Sequence, residues 1–112
     1  MISGCVSQVW HNDPAHPKGW MKSTCAFGNY QNGGYWGTGT GWYIVALNTI
    51  DPAAAHEMAT DFVRFLRANV NSAGLTQSWE VFNPDLNQYI HPHYVASTAF
   101  AYGILKRAGL IP

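Results

Sequence analysis

Only six carboxylates occur in this 112-residue chain, so the chemistry that each can do is weighed singly. Asp51 precedes Pro52 and reads as a helix cap. Glu57 and Asp61 fall on the charged side of the helix that follows. Asp13 in Asn12-Asp13-Pro14 and Asp85 after Asn83-Pro84 have the composition of turns. Glu80 is different: it lies between Trp79 and Val81-Phe82, in a stretch with no other charge until Asp85. A carboxylate in apolar surroundings suits general acid or base work. It equally suits the holding of loop backbone amides, and perturbed carboxylates mark sites only statistically. Glu80 is expected in one of these two roles.

The second concentration of chemistry runs from Asn29 to Tyr43. Asn29-Tyr30-Gln31-Asn32-Gly33-Gly34-Tyr35-Trp36, continued by Gly41-Trp42-Tyr43, carries five aromatic rings and three carboxamides around a diglycine turn. No formal charge occurs between Lys22 and Asp51. Amides that donate and accept, beside flat aromatic faces, suit a polyhydroxylated neutral ligand better than a phosphate. Any one of these rings is equally at home in a core.

Histidines offer less. His11, Asp13 and His16 look like a ligand set, but prolines follow Asp13 and His16 and no helical spacing orients them, whereas metal sites need convergent ligands with a supporting shell. No metal and no cofactor is expected. His91-Pro92-His93 opens a helix, where an imidazolium is disfavoured, so a neutral hydrogen-bonding role, as a cap or a ligand contact, is expected of these histidines, with His93 as the candidate ligand contact. There is no GxSxG elbow, and neither cysteine stands in a pattern that supports nucleophilic catalysis. Gly37-Thr38-Gly39-Thr40-Gly41 has the look of a phosphate cradle but lacks its lysine.

Three helices have to position these groups. The span from about 52 to 70 has Ala55, Met58, Ala59, Phe62, Phe65 and Leu66 at three- and four-residue spacing, opposite Glu57, Asp61, Arg64 and Arg67. The spans from about 40 to 50 and from about 93 to 107 are apolar nearly all round. A helix apolar on every side is expected to be buried on every side. The order is then buried helix, half-exposed helix, long loop, buried helix, which is the alternation of an all-α toroid of paired helices. The loops 28–40 and 72–92 would share one end of such a ring. The segment Met1 to Phe27 is loop-rich, with Cys5 to Trp10 as a candidate short strand.

Composition bounds the partners. The length fits one domain. Charged residues make up 11% of the chain where soluble domains average about 25%. Partner protein, or self-association through exposed apolar helices, would cover such a surface. Formal net charge is zero, which argues against electrostatic capture of nucleic acid or an anionic membrane. No apolar run reaches the roughly 18 residues of a spanning helix. Ile2-Ser3-Gly4-Cys5 mimics a lipoprotein cleavage site without the charged and apolar regions that should precede it: either the match is accidental or the chain begins downstream of its natural start. Cys5 and Cys25 are too few for a disulfide scaffold.

Tyr30-Gln31-Asn32-Gly33-Gly34-Tyr35-Trp36, Asp51-Pro52, Trp79-Glu80-Val81-Phe82-Asn83-Pro84-Asp85 and His93-Tyr94-Val95-Ala96-Ser97 together resemble the C-terminal part of (α/α)6-barrel glycosidases, the broad six-hairpin group of trehalase-, glucosidase- and rhamnosidase-like hydrolases. The resemblance covers roughly residues 28–108. It implies that the chain corresponds to the C-terminal segment of a larger catalytic domain, with the acid carboxylate upstream, and that Glu80 is the general base. It implies a sugar site lined by Tyr30, Gln31, Asn32, Tyr35, Trp36 and Trp79, with His93 and Tyr94 closing the same face. The expected partner is a neutral oligosaccharide or glycoside. Two other readings stay open: a non-catalytic helical carbohydrate-binding or assembly module, and a structural helical protein whose aromatics are core.

Overall fold

The computed structural model describes residues 5–7, 30, 33–76 and 79–112. Among these, four short strands and three helices follow in the order β1 (Val6–Ser7), β2 (Tyr35–Trp36), α1 (Thr40–Asn48), α2 (Pro52–Ala68), β3 (Val81–Asn83), β4 (Gln88–Ile90) and α3 (Val95–Arg107). The strands form one antiparallel sheet in the order β1-β2-β3-β4. The all-α expectation is therefore corrected: the two segments expected to be loops at one end of a ring meet, but as strands of a sheet, with Tyr35 opposite Phe82. Strands of two or three residues are too short to show a period of two, so alternation gives no sign of them.

The turn between β3 and β4 explains why this segment folds back. Asn83 accepts a hydrogen bond from the Asp85 amide at 3.2 Å, Pro84–Leu86 make one 3-10 turn, and Asn87 takes the left-handed conformation (φ 48°). Asparagine suits both tasks, because its side chain mimics backbone in a turn and tolerates a positive φ. The register that follows pairs Asn83 with Gln88, Phe82 with Tyr89 and Val81 with Ile90.

The helix α2 matches its expectation closely. Asp51 caps it by accepting from the Ala54 amide at 3.0 Å, and Pro52 stands in the first turn. Ala55, Met58, Ala59, Phe62 and Leu66 are buried, while Asp61 and Arg64 pair on the exposed side. The helices α1 and α3 depart from theirs. Each buries one face only: Ile44 on α1, and Ala101 and Leu105 on α3, enter the core, whereas Trp42 and Phe100 are 56% and 51% exposed and their rings meet outside it, 6.0 Å apart. α1 packs against both α2 and α3, which leaves its remaining side to solvent.

Glycines set how closely α1 approaches α3. A Cβ on Gly41 would stand 2.9 Å from Ala101 Cα, and one on Gly37 would stand 2.9 Å from the Ser97 carbonyl oxygen. The space beside Gly37 and Gly41, two glycines of the run that looks like a phosphate cradle in the sequence, is thus filled by the neighbouring helix. One core joins helices and sheet. Phe82 of β3 stacks on Phe65 of α2 (4.9 Å between centroids), and the ring of Tyr35 of β2 lies 6.0 Å from it. Cys5 is a free thiol buried in the same cluster.

Candidate functional site

Extending the β3–β4 register by one residue places Glu80 opposite His91, at the open end of the hairpin. The Glu80 amide donates to the carbonyls of Ile90 (3.1 Å) and His91 (3.3 Å), so its backbone is tied to the neighbouring strand. Its carboxylate faces two side-chain donors. The Tyr30 hydroxyl donates to Oε1 at 3.2 Å, and Nδ1 of His91 lies 2.5 Å from Oε2. Glu80 is 8% exposed, whereas the His91 side chain is 71% exposed. Among the described residues His91 is the only ion-pair partner that Glu80 has.

Tyr30 is fixed from several directions. Its amide donates to Gln88 Oε1 at 3.3 Å, its carbonyl accepts from the Gly34 amide at 2.9 Å and from Trp36 Nε1 at 3.4 Å, and its ring lies 5.1 Å from that of Trp36. Gly34 permits this arrangement. A Cβ there would stand 2.4 Å from Val81 Cγ2 and 2.6 Å from the Tyr30 carbonyl oxygen.

Both residues that touch the carboxylate have left-handed backbones, Tyr30 at φ 37° and His91 at φ 47°, and His93 follows at φ 68°. Non-glycine residues rarely adopt this region, and each costs of order 1–3 kcal/mol, which the surrounding structure must offset. Strain of this kind gathers at sites more often than in plain scaffold. Here two of the four positive-φ non-glycine residues described contact the Glu80 carboxylate; His93 stands two residues beyond His91, and Asn87 forms the hairpin turn.

The sequence-derived candidates divide. Tyr30, Trp36 and Glu80 come together. Tyr35 is buried in the core against Phe82, whereas Trp36 is buried with its ring against Tyr30 and its Nε1 donating to the Tyr30 carbonyl. Trp79 is partly buried and its ring lies 5.1 Å from that of Tyr89. His93 is exposed, and Tyr94 stands at the N-cap of α3 without a side-chain cap bond. Gln31 and Asn32 lie outside the described residues, as do His11, Asp13, His16 and Cys25. No cluster of three or more metal-ligating side chains occurs among the described residues.

Gln88 carries no signal in the sequence, and His91 reads there as a hydrogen-bonding histidine of the helix opening, not as a partner of Glu80. The signal that would find it is the Asn83-Pro84-Asp85-Leu86-Asn87 turn, because closing a hairpin across it sets residue 91 opposite residue 80. Clefts of about 490 and 420 Å³ lie elsewhere, both lined by Arg64 of α2.

Chemically, an ionised carboxylate only accepts hydrogen bonds, so Tyr30 Oη and His91 Nδ1 both act as donors to Glu80. No protein-family model, curated protein or solved structure matches this chain.

Proposed function

We propose that this protein hydrolyses glycosidic bonds in a neutral oligosaccharide or glycoside, with Glu80 as the source of the general base. The observation that carries the reading is the nearly buried Glu80 carboxylate, held between Tyr30 and His91 and joined through Tyr30 to the aromatic and amide segment. Among the described residues no lysine or arginine pairs with this carboxylate, and general-base catalysis needs a carboxylate placed within reach of water. The motif resemblance to six-hairpin glycosidases supports the same assignment. Hydrolysis with inversion needs a second carboxyl group about 6.5–9.5 Å from the first, with water between them.

The test uses the full-length protein and a panel of nitrophenyl glycosides and neutral oligosaccharides. Glu80→Gln is expected to leave binding by calorimetry nearly intact and to cut turnover by roughly 10²–10⁴-fold. Full activity in a folded Glu80→Gln protein overturns the assignment.

A second reading draws on one specific observation: both carboxylate oxygens already have protein donors. That arrangement also suits a non-catalytic carbohydrate-binding module in which Glu80 fixes Tyr30 and His91. Binding of an oligosaccharide without turnover of any glycoside in the panel selects it.

A further inference from the structure

We infer that the base of this site is a Glu80–His91 pair, in which the imidazole Nε2 of His91 exchanges the proton with water and Glu80 acts behind it; the inference rests on the hydrolytic reading above. Three observations converge on it. The 2.5 Å contact joins Oε2 of Glu80 to Nδ1 of His91, not to Nε2. With Glu80 ionised and the imidazole neutral, the state in which a histidine serves as a base, Nδ1 carries the proton and Nε2 keeps its lone pair. Glu80 is 8% exposed and its carboxylate is covered by two donors, whereas the His91 side chain is 71% exposed. Water therefore meets the imidazole before it meets the carboxylate.

The backbone holds the pair in this orientation. Glu80 and His91 are cross-strand neighbours whose separation is set by the hairpin, and the Glu80 amide donates to the His91 carbonyl at 3.3 Å. His91 takes φ 47°, a left-handed conformation uncommon for a residue other than glycine. Tyr30 occupies Oε1, so that Oε2 is the oxygen offered to the ring. A base held in place by a third group is the general logic of activated sites.

The proton balance is simple. Nε2 takes a proton from water as the water oxygen bonds to the anomeric carbon and the glycosidic C–O bond breaks, and the departing oxygen takes a proton from solvent. The imidazolium so formed is stabilised by the Glu80 carboxylate and returns its proton to solvent, which closes the balance. His91 is then the catalytic residue of the pair, and Glu80 and Tyr30 are positioning residues.

Two measurements decide the inference without a sugar. Nitrogen-15 NMR of the histidine rings is expected to show His91 as the Nδ1–H tautomer, and Glu80→Gln is expected to abolish that preference. Carbethoxylation by diethyl pyrocarbonate, followed residue by residue with mass spectrometry, is expected to modify His91 about tenfold faster than the exposed His93. That ratio follows from a charge-assisted hydrogen bond raising the nucleophilicity of Nε2. Glu80→Gln should bring the two rates together. Tyr30→Phe, which keeps the pair but frees Oε1, should retain most of the difference and guards against a folding artefact. An Nε2–H tautomer, or equal rates for His91 and His93 in the unaltered protein, overturns the pair.

The glycoside panel supplies the third arm. His91→Asn is expected to lose as much turnover as Glu80→Gln, and unchanged turnover in folded His91→Asn overturns the inference by making Glu80 the direct base. A panel with no turnover in the unaltered protein overturns the hydrolytic reading, while the tautomer and the acylation rates still judge the pair.

Discussion

Phe62 and Glu80 are 1% and 8% exposed, yet opposite kinds of force keep them inside. Phe62 sits on the apolar face of α2 among Met58, Ala59 and Leu66, and burying such side chains gains about 1.5–3 kcal/mol each. Nothing about its position depends on direction beyond fit. Glu80 gains nothing from burial itself. It is tolerable only because each carboxylate oxygen meets a donor, and those donors stand on backbones that pay conformational strain. The helical layer is therefore tolerant and strong, whereas the hairpin end is exacting and local. Rigidity in the first comes from packing; orientation in the second comes from register and left-handed backbone.

Phe82 joins the two regions. It faces Phe65 of α2 on one side and pairs with Tyr89 across the hairpin, so the sheet cannot shift without disturbing the helix beneath it. The one-residue register that puts Phe82 on Phe65 also puts Glu80 opposite His91.

The largest expected effect is on the helical side. Phe62→Ala should cost about 3–5 kcal/mol in denaturant unfolding, the usual loss for an aromatic ring in a packed core. In the fraction that remains folded, the His91 tautomer should not change. If it does change, the two regions are not separable and the comparison fails.

Gly34→Ala attacks the hairpin side and should rank next. Its Cβ meets Val81 Cγ2 and, more seriously, the Tyr30 backbone carbonyl, which cannot rotate away. A cost of about 1–3 kcal/mol is expected from overpacking. The distinguishing readout is the site: displacement of Val81, the chain neighbour of Glu80, should loosen the Glu80–His91 contact and slow carbethoxylation of His91, while the far-ultraviolet helical signal is kept. Loss of stability with an unaltered site would place Gly34 in the scaffold alone.

The smallest effect at neutral pH comes from the seam between sheet and helices. Burial pushes the Cys5 thiol from 9.0 up to about 12, opposed in part by a hydrogen bond with Thr40. The folded value is raised, so the stabilising contribution is complete below the unfolded value of 9.0 and is lost as pH rises towards about 12. At pH 10 the loss amounts to about 1.4 kcal/mol, one unit of pH beyond the unfolded value. Tyr35, raised by burial and then by Asp85, adds a slope of the same sign. Melting temperatures followed from pH 8 to 11 should fall, and Cys5→Ala should flatten the fall without removing it. An unchanged slope in Cys5→Ala would mean that the thiol is not in the dry interior.

The sequence by itself determined α2, from its Asp51 cap to its buried stripe, because seventeen residues give a 3.6-residue period room to repeat. It also singled out Glu80 as the carboxylate in an apolar setting, since that property depends on neighbours in the chain. Tertiary structure decided the rest. Strands of two and three residues carry no period, so the sheet, and with it the all-α correction, arises only from pairing at a distance. The apolar helices α1 and α3 could not declare which face would stay in solvent, because that depends on how many neighbours the fold supplies. His91 became a partner of Glu80 through register alone. Eleven residues separate them in the chain, and only the hairpin turn brings Nδ1 to the carboxylate.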